Sequence, residues 1–309
     1  MMLTHETDRK LAPDLSIVIV SYNTRDMLRD CLNSLHHATM SLSTEVYVVD
    51  NNSSDGSAAM VKSEFPEHCL IENCDNPGFA RANNQALANC TGRNLLILNP
   101  DTVAEPMSLT RLSQYLDLHK DVGAVGPKLL NTDGTLQENG RTFPNPLREF
   151  LGHTGIRNLL RGARGPGWEY GRTDFDVVAD TDSVTGACLM LPKRVMDQVG
   201  PLDEQFFMFY EEVEWCWRIK KSGFRIVYVP ESRVIHHWMG SVRQQSRVMT
   251  IRLFQSMLIY YRKTGSTSQQ MGSYVVYGAG YIRNELLYLG VAAKRILRRI
   301  GVVKPKANA

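Results

Sequence analysis

No run of eighteen consecutive apolar residues occurs in the sequence, so no segment reads as a membrane-spanning helix. The opening stretch MMLTHETDRKLAPD lacks the apolar core of a secretory signal, and the expectation is a chain on the cytoplasmic side. Six cysteines, at 31, 69, 74, 90, 188 and 216, make no C-x-x-C pair and no Cys/His spacing of a zinc site. Reduced thiols are the expected state. Charge of one sign is also scarce: a formal net +3 over 309 residues gives no reason to expect nucleic acid as a partner. No G-x-G-x-x-G follows the first apolar run, which argues against a dehydrogenase. There is no internal repeat and no low-complexity tract.

What is present is an ordinary globular composition, 43% hydrophobic and 22% charged, with length for one large domain or two small ones. LSIVIV (15–20) is a β-branched apolar run of the kind buried on both faces of a parallel sheet. After SYNT the spacing of Met27, Leu28, Cys31, Leu32 and Leu35 predicts an amphipathic helix with Thr24 as N-cap. EVYVVD, the turn cluster NNSSDGS, a helix near 58–62, a short strand near Leu70 and Ile71, a helix over 81–88 and the strand NLLILNPD repeat the alternation. The first hundred residues therefore read as an open, doubly wound α/β sheet. Ligands bind such sheets at the carboxyl ends of the strands, which singles out Tyr22, Asn23, Asp50, Asn51, Asn99 and Asp101.

Helical spacing over 107–118, a strand at VGAVGPKLL, a long irregular excursion over about 131–179, a strand and short helix in DSVTGACLMLPKRVMDQVG, the strand RIVYVP and a helix over 247–263 follow. A polar break is expected from Gly265 to Gly272. Within FMFYEEVEWCWR (207–218), Glu211, Glu212 and Glu214 stand among aromatic and aliphatic side chains. Apolar walls such as Phe207, Phe209, Tyr210 and Trp215 raise an acid's pKa, the environment of a general base rather than of a packing residue. Glu214 lies four before Arg218, the spacing of an intrahelical ion pair, and Trp215 and Trp217 read as core.

Taken in order, LSIVIVSYNT, VYVVDNNSSDGS, NPGFARANNQAL, LLILNPD, TGACLMLPKRV, GPLDEQFFMFYEEVEWCWR and VIHHWMGSV resemble the motifs of inverting family 2 glycosyltransferases, closest to a rhamnosyltransferase-like branch that extends cell-surface polysaccharides. The resemblance covers roughly 13–241. It implies a GT-A type α/β fold: a doubly wound, mostly parallel mixed sheet flanked by helices, with a C-terminal helical extension. The implied division is a transferase domain over 1–265, with a nucleotide-binding half at about 13–103 and an acceptor half at about 104–245, followed by a tail over 266–309. Donor-binding positions carried over are Ser21, Tyr22, Asn23, Asp50, Asn52, Arg81, Asn84, Asn99, Asp101, Gly186, His236 and His237, with Asp50 holding the nucleoside. The family's paired metal acids read here Asn99-Pro100-Asp101, a departure that leaves Asp101 as the one carboxylate, with His236 as a further ligand for Mg2+ or Mn2+. Ser241 falls in the same histidine motif, and Ala187 beside Gly186. Glu212, second of the adjacent acids, aligns with the base, and Glu211 orients a neighbour or the acceptor.

The implied activity is metal-assisted, inverting transfer of a sugar, with dTDP-rhamnose as donor, to a lipid-linked saccharide; the departure at Asn99 also keeps open a silent sugar-nucleotide-binding or scaffold protein of the same fold. Ile282, Leu286, Leu289, Ala293, Ile296 or Leu297 and Ile300 form an apolar stripe flanked by Arg283, Lys294, Arg295, Arg298 and Arg299. A basic amphipathic helix of this kind is drawn to an anionic membrane surface, here the inner face, or packs on the same chain or on a second copy in a homo-oligomer.

Overall fold

Seven successive buried residues, Leu15–Ser21, form strand β1, and the side chains alternate between two cores. Ile17 and Ile19 pack with Leu28, Leu32 and Leu35 of helix α1 (Arg25–Ala38), whereas Val18 and Val20 pack with Ala82 and Ala86 of α3 (Phe79–Leu87). Helices thus cover both faces, and each fully buried Leu or Ile contributes roughly 1.5–3 kcal/mol. The computed structural model describes residues 12–137, 139–154, 174–237 and 246–299.

The remaining elements are β2 (Thr44–Asp50), α2 (Ser57–Glu64), β3 (Cys69–Glu72), β4 (Asn94–Leu98), β5 (Thr102–Ala104), α4 (Ser108–Leu118), β6 (Val122–Leu130), β7 (Leu136–Gln137), α5 (Pro146–Thr154), β8 (Ala179–Thr181), β9 (Cys188–Pro192), α6 (Lys193–Val199), α7 (Glu211–Lys221), β10 (Arg225–His236), α8 (Ser246–Thr264) and α9 (Thr267–Arg299). The strands make one mixed sheet in the order β3-β2-β1-β4-β9-β6-β10-β5, with β7 on β6 and β8 on β10. Its ladders β3-β2-β1-β4 and β6-β10 are parallel; β9, β5, β7 and β8 join antiparallel. Two registers set the functional region. Ser21 pairs with Asp50 at the shared carboxyl end of β1 and β2, and His236 pairs with Thr102, which carries the end of β10 to the turn after β4.

The chain divides into two units, and the division falls inside α8 after Ser256. The first holds the sheet and its helices; the second holds α5, the rest of α8 and α9. Within the second unit α9 packs on α5: a Cβ on Gly272 would lie 3.0 Å from Cβ of Pro146, and Ser273 and Val276 are buried. Two expectations change. The polar break shrinks to Gly265 and Ser266, because Thr267 already opens α9. Thr24 stands at the N-terminus of α1 without a side-chain cap, its hydroxyl being spent on Ser21 Oγ at 3.0 Å. All six cysteines are free, and burial pushes the thiols of Cys31, Cys90 and Cys216 up to about 12, which keeps them protonated.

Candidate active site

The loops after β1 and β2 brace each other. Asn23 in left-handed backbone (φ 55°) accepts from the Ser54 amide at 2.8 Å through Oδ1, and its own amide donates to Ser53 Oγ at 2.9 Å. Asn52 is left-handed as well (φ 62°), a conformation Asn tolerates better than most residues. Asp50, 3% exposed, accepts from the Ser53 amide at 2.9 Å through Oδ2, yet its buried Oδ1 has no hydrogen-bond partner among the described residues. One carboxylate oxygen thus ties the turn, and the other keeps its lone pairs unspent. Behind it, Asn73, Asn51 and Asn76 form an amide chain that ends on the amide of Gly78.

Gly78 (φ +92°) is required where it stands: a Cβ there would meet the Phe207 carbonyl at 2.5 Å. The close approach lets the Phe79 amide donate to that carbonyl at 2.7 Å and seats the segment before α7 against the end of the sheet. Val20, Tyr22, Asn51, Asn76, Phe79, Asn99, Asp101, Phe207, Met208 and Met249 line the resulting open cleft, about 730 Å³ with the solvent at its mouth included.

At one end of the cleft Asp101, 6% exposed, faces His236: Oδ1 and Nε2 are 3.3 Å apart, and Asn99 Nδ2 lies 3.4 Å from the same nitrogen. Gln137 Oε1 is 2.6 Å from Nδ1 on the other side of the ring. His237 contributes its backbone amide, which donates to the Asp101 carbonyl at 2.9 Å. Between the two histidines the sequence could not choose; the described contacts bring the His236 ring to Asp101. An imidazole nitrogen with a carboxylate oxygen 3.3 Å from it, and beside them a side-chain amide that would turn its oxygen inward, are ligand types that suit a divalent cation completed by phosphate oxygens.

Beyond the Phe79 wall lies α7. Phe209 and Tyr210 both adopt left-handed backbone (φ 71° and 67°), strain that bulky residues accept only when their surroundings impose it. The helix starts at Glu211 immediately afterwards. Glu211, 4% exposed, and Glu212 each hold a buried Oε2 without a hydrogen-bond partner among the described residues. Burial raises both carboxyls above their ordinary range; the charge of Glu212 adds to the effect on Glu211, while backbone amides and the Arg141 guanidinium act against it on Glu212. A Cβ on Gly186 would lie 3.6 Å from both Glu212 Cβ and the Phe79 ring, so the bare glycine keeps the space beside Glu212 open. Gly186 stands in the turn before β9, not inside a strand, and the neighbouring Ala187 carbonyl accepts from the Asn99 amide at 2.9 Å.

Other predicted positions have different surroundings. Ser21 is buried and bonded to Thr24, and Asn84 spends its amide on Leu202 and Glu204, which ties α3 to the 202–204 loop. Arg81 is exposed on the first turn of α3 and does not line the cleft. Glu214 takes its expected ion pair with Arg218 at 3.0 Å, and Trp215 is core, its indole donating to the Gly200 carbonyl at 2.8 Å. Ser241 lies outside the described residues. Gln137 and Arg141 were missed because they sit in the excursion, where no periodicity marks a strand; TLQENGR offered only its polarity.

A sheet of this order with its polar groups gathered at the carboxyl ends of β1, β2 and β4 is the GT-A fold. The family model described as "Glycosyltransferase like family 2" matches residues 13–253, and the chain belongs to that family. It is similar to the "O-antigen biosynthesis protein RfbC" of Myxococcus xanthus, 32% identical over 235 residues, which are 75% of this chain and 18% of that protein. It is also similar to the "N-acetylglucosaminyl-diphospho-decaprenol L-rhamnosyltransferase" of Mycobacterium tuberculosis, 27% identical over 244 residues, 72% of this chain and 76% of that one. Among solved structures, "Mannosyltransferase PcManGT from Pyrobaculum calidifontis in complex with GDP-Man and Mn2+" superposes with a TM-score of 0.55 at 17% identity, covering 92% of this chain and 81% of that one.

Proposed function

We propose that this glycosyltransferase moves a sugar from a nucleoside diphosphate donor to a saccharide hydroxyl with inversion, and that Glu212 is the base. The observation that carries the reading is the pair of buried, unpartnered acid oxygens on Glu211 and Glu212, one helix-turn from a fully paired Glu214. Such groups are costly unless they are used. In the reaction the acceptor oxygen bonds to the anomeric carbon, its proton passes to Glu212, and the bond from that carbon to the diphosphate oxygen breaks with the electron pair leaving on the nucleoside diphosphate. The raised pKa of Glu212 makes it a stronger base than a solvated carboxylate, provided the pH is above that value. Glu211 orients the acceptor, and the free Oδ1 of Asp50 receives a donor from the base or ribose.

Asp101 and His236, with Asn99 beside them, would hold Mg2+ or Mn2+. The cation would supply charge neutralisation for the leaving diphosphate. Among the described residues no group of three His, Cys, Asp or Glu gathers for a metal, in keeping with a cation that binds together with the nucleotide.

The donor is proposed to be dTDP-rhamnose and the acceptor a lipid-linked saccharide in polysaccharide synthesis at the inner membrane face; the name of the Mycobacterium relative supports both the sugar and the lipid. Met271, Tyr274, Val275, Ile282 and Leu286 are exposed on α9 and continue the apolar stripe read from the sequence toward Met271, on the face away from buried Ser273 and Val276. No described helix is long and apolar enough to cross a membrane, so this face supports an interfacial contact. Side chains beyond Tyr288 lie outside the described residues. Substituting Val275 and Ile282 by Glu should abolish sedimentation with anionic liposomes; unchanged partitioning would refute the membrane contact. For the reaction, nucleotide sugars are offered with Mn2+ and a lipid-diphosphate saccharide, and product configuration is read by NMR. Inverted rhamnoside is expected; a retained anomer would overturn the single displacement, and no turnover with any donor would favour the silent sugar-nucleotide-binding protein.

A further inference from the structure

His236 stands between two acceptors, Gln137 Oε1 at 2.6 Å from Nδ1 and Asp101 Oδ1 at 3.3 Å from Nε2, and the Asn99 side-chain amide, 3.4 Å from Nε2, can turn either its nitrogen or its oxygen to the ring and so follows the tautomer rather than setting it. A neutral ring has one proton to give. The hydrogen bonds behind Gln137 decide which nitrogen carries it. Asp133, ionised, can only accept, and it accepts from the Thr135 hydroxyl at 2.6 Å. With its hydrogen spent, the Thr135 oxygen accepts from Asn131 Nδ2 at 2.9 Å. That leaves Asn131 Oδ1 as the acceptor for Gln137 Nε2 at 3.1 Å, and the same Nε2 donates to the His236 carbonyl at 3.3 Å. Gln137 Oε1 must therefore point at Nδ1, and only a protonated Nδ1 satisfies it.

We infer that Gln137, oriented by the relay Asp133-Thr135-Asn131, is a positioning residue that keeps the His236 proton on Nδ1 and so leaves Nε2 free beside Asp101 to bind the cation. Without it the proton moves to Nε2 and is given to Asp101, and the two ligands occupy each other instead of the metal. Burial of Gln137, 7% exposed, shields the hydrogen bond from water. The inference rests on the reading of Asp101 and His236 as metal ligands.

The test uses the full chain labelled with 15N-histidine, at a pH where the ring is neutral, with His236 assigned by the signal lost in His236→Ala. Wild type should show protonated Nδ1 and unprotonated Nε2. Gln137→Leu should move the proton to Nε2 and weaken Mn2+ binding, measured by electron paramagnetic resonance with dTDP present, by roughly 10- to 100-fold. Asn131→Leu keeps Gln137 but removes the acceptor that holds its Nε2 away from the ring, and should lose the pure Nδ1–H tautomer and weaken Mn2+ binding; it also decides the matter where Gln137→Leu does not fold, since a folded Asn131→Leu that keeps both tautomer and affinity would contradict the inference. A proton that stays on Nδ1 in Gln137→Leu overturns the role of Gln137 and leaves the metal reading untouched. A proton that moves while Mn2+ affinity holds supports Gln137's hold on the ring and overturns the reading of His236 as a ligand.

Discussion

At the carboxyl ends of β1 and β2 the polar side chains are answered by the loops themselves: Ser21 by the Thr24 hydroxyl, Asn23 Oδ1 by the Ser54 amide, Ser53 Oγ by the Asn23 amide and Asp50 Oδ2 by the Ser53 amide. At the N-terminus of α7 the buried acid oxygens of Glu211 and Glu212 are left unanswered. The first region spends its hydrogen bonds on holding a loop in shape, and among the described residues its buried Asp50 Oδ1 is left unspent. The second accepts backbone strain at Phe209 and Tyr210 and the desolvation of two carboxyls, and keeps one oxygen of each acid unpartnered among the described residues. The lesson is local: polar residue types mark both regions equally, and what separates scaffold from chemistry is whether their lone pairs are spent.

Removing Asp101 should have the largest effect among the variants that sharpen this contrast. Asp101→Ala deletes the carboxylate from the proposed cation site, and turnover at fixed Mn2+ should fall by several kcal/mol in barrier, about 10² or more in rate. Recovery at high Mn2+ would limit the loss to metal affinity. Asp50→Ala comes next: loss of a charge-assisted hydrogen bond, about 1.5–3 kcal/mol, should raise the donor Kd roughly 10- to 100-fold in calorimetry, with kcat little changed. An unaltered Kd would return Asp50 to turn duty alone.

Glu214→Gln breaks the partly buried pair with Arg218, whose guanidinium keeps its bonds to the Val199 and Pro201 carbonyls. Denaturant unfolding should show about 1–3 kcal/mol less stability and assays an unchanged kcat. A kcat defect in the folded variant would erase the contrast between Glu214 and its neighbours. The last contrast is one of sign, in Glu211→Gln. A carboxyl raised above its unfolded value costs the fold nothing while protonated in both states, and destabilises it as pH rises from the unfolded value of about 4.3 toward the folded one. The variant should match wild type near pH 4 and melt higher at pH 8, by about 1.4 kcal/mol for each pH unit between the unfolded and folded values. Wild type gaining stability on the variant over that range would have the sign wrong.

Much of this was readable in the chain. Continuous apolar runs and helical spacing delivered the alternation up to β4, because β1 and β4 are buried on both faces and are therefore mostly apolar. Glu211 and Glu212 stood out because an acid set among Phe, Tyr and Trp loses hydration that packing alone does not return. What could not be read is what depends on distant pairing. The choice of His236 over His237 follows from its register opposite Thr102, and Gln137 reaches His236 from a two-residue strand too short to leave a pattern. Asn84 matched a donor motif in sequence, but its partners Leu202 and Glu204 lie far along the chain.

The most direct test of the account is donor-dependent release of nucleoside diphosphate by Glu212→Gln beside wild type, with donor binding measured in parallel. Loss of the base should slow release roughly 10²- to 10⁴-fold while donor affinity stays within a few-fold of wild type. Equal rates in the two proteins would contradict it.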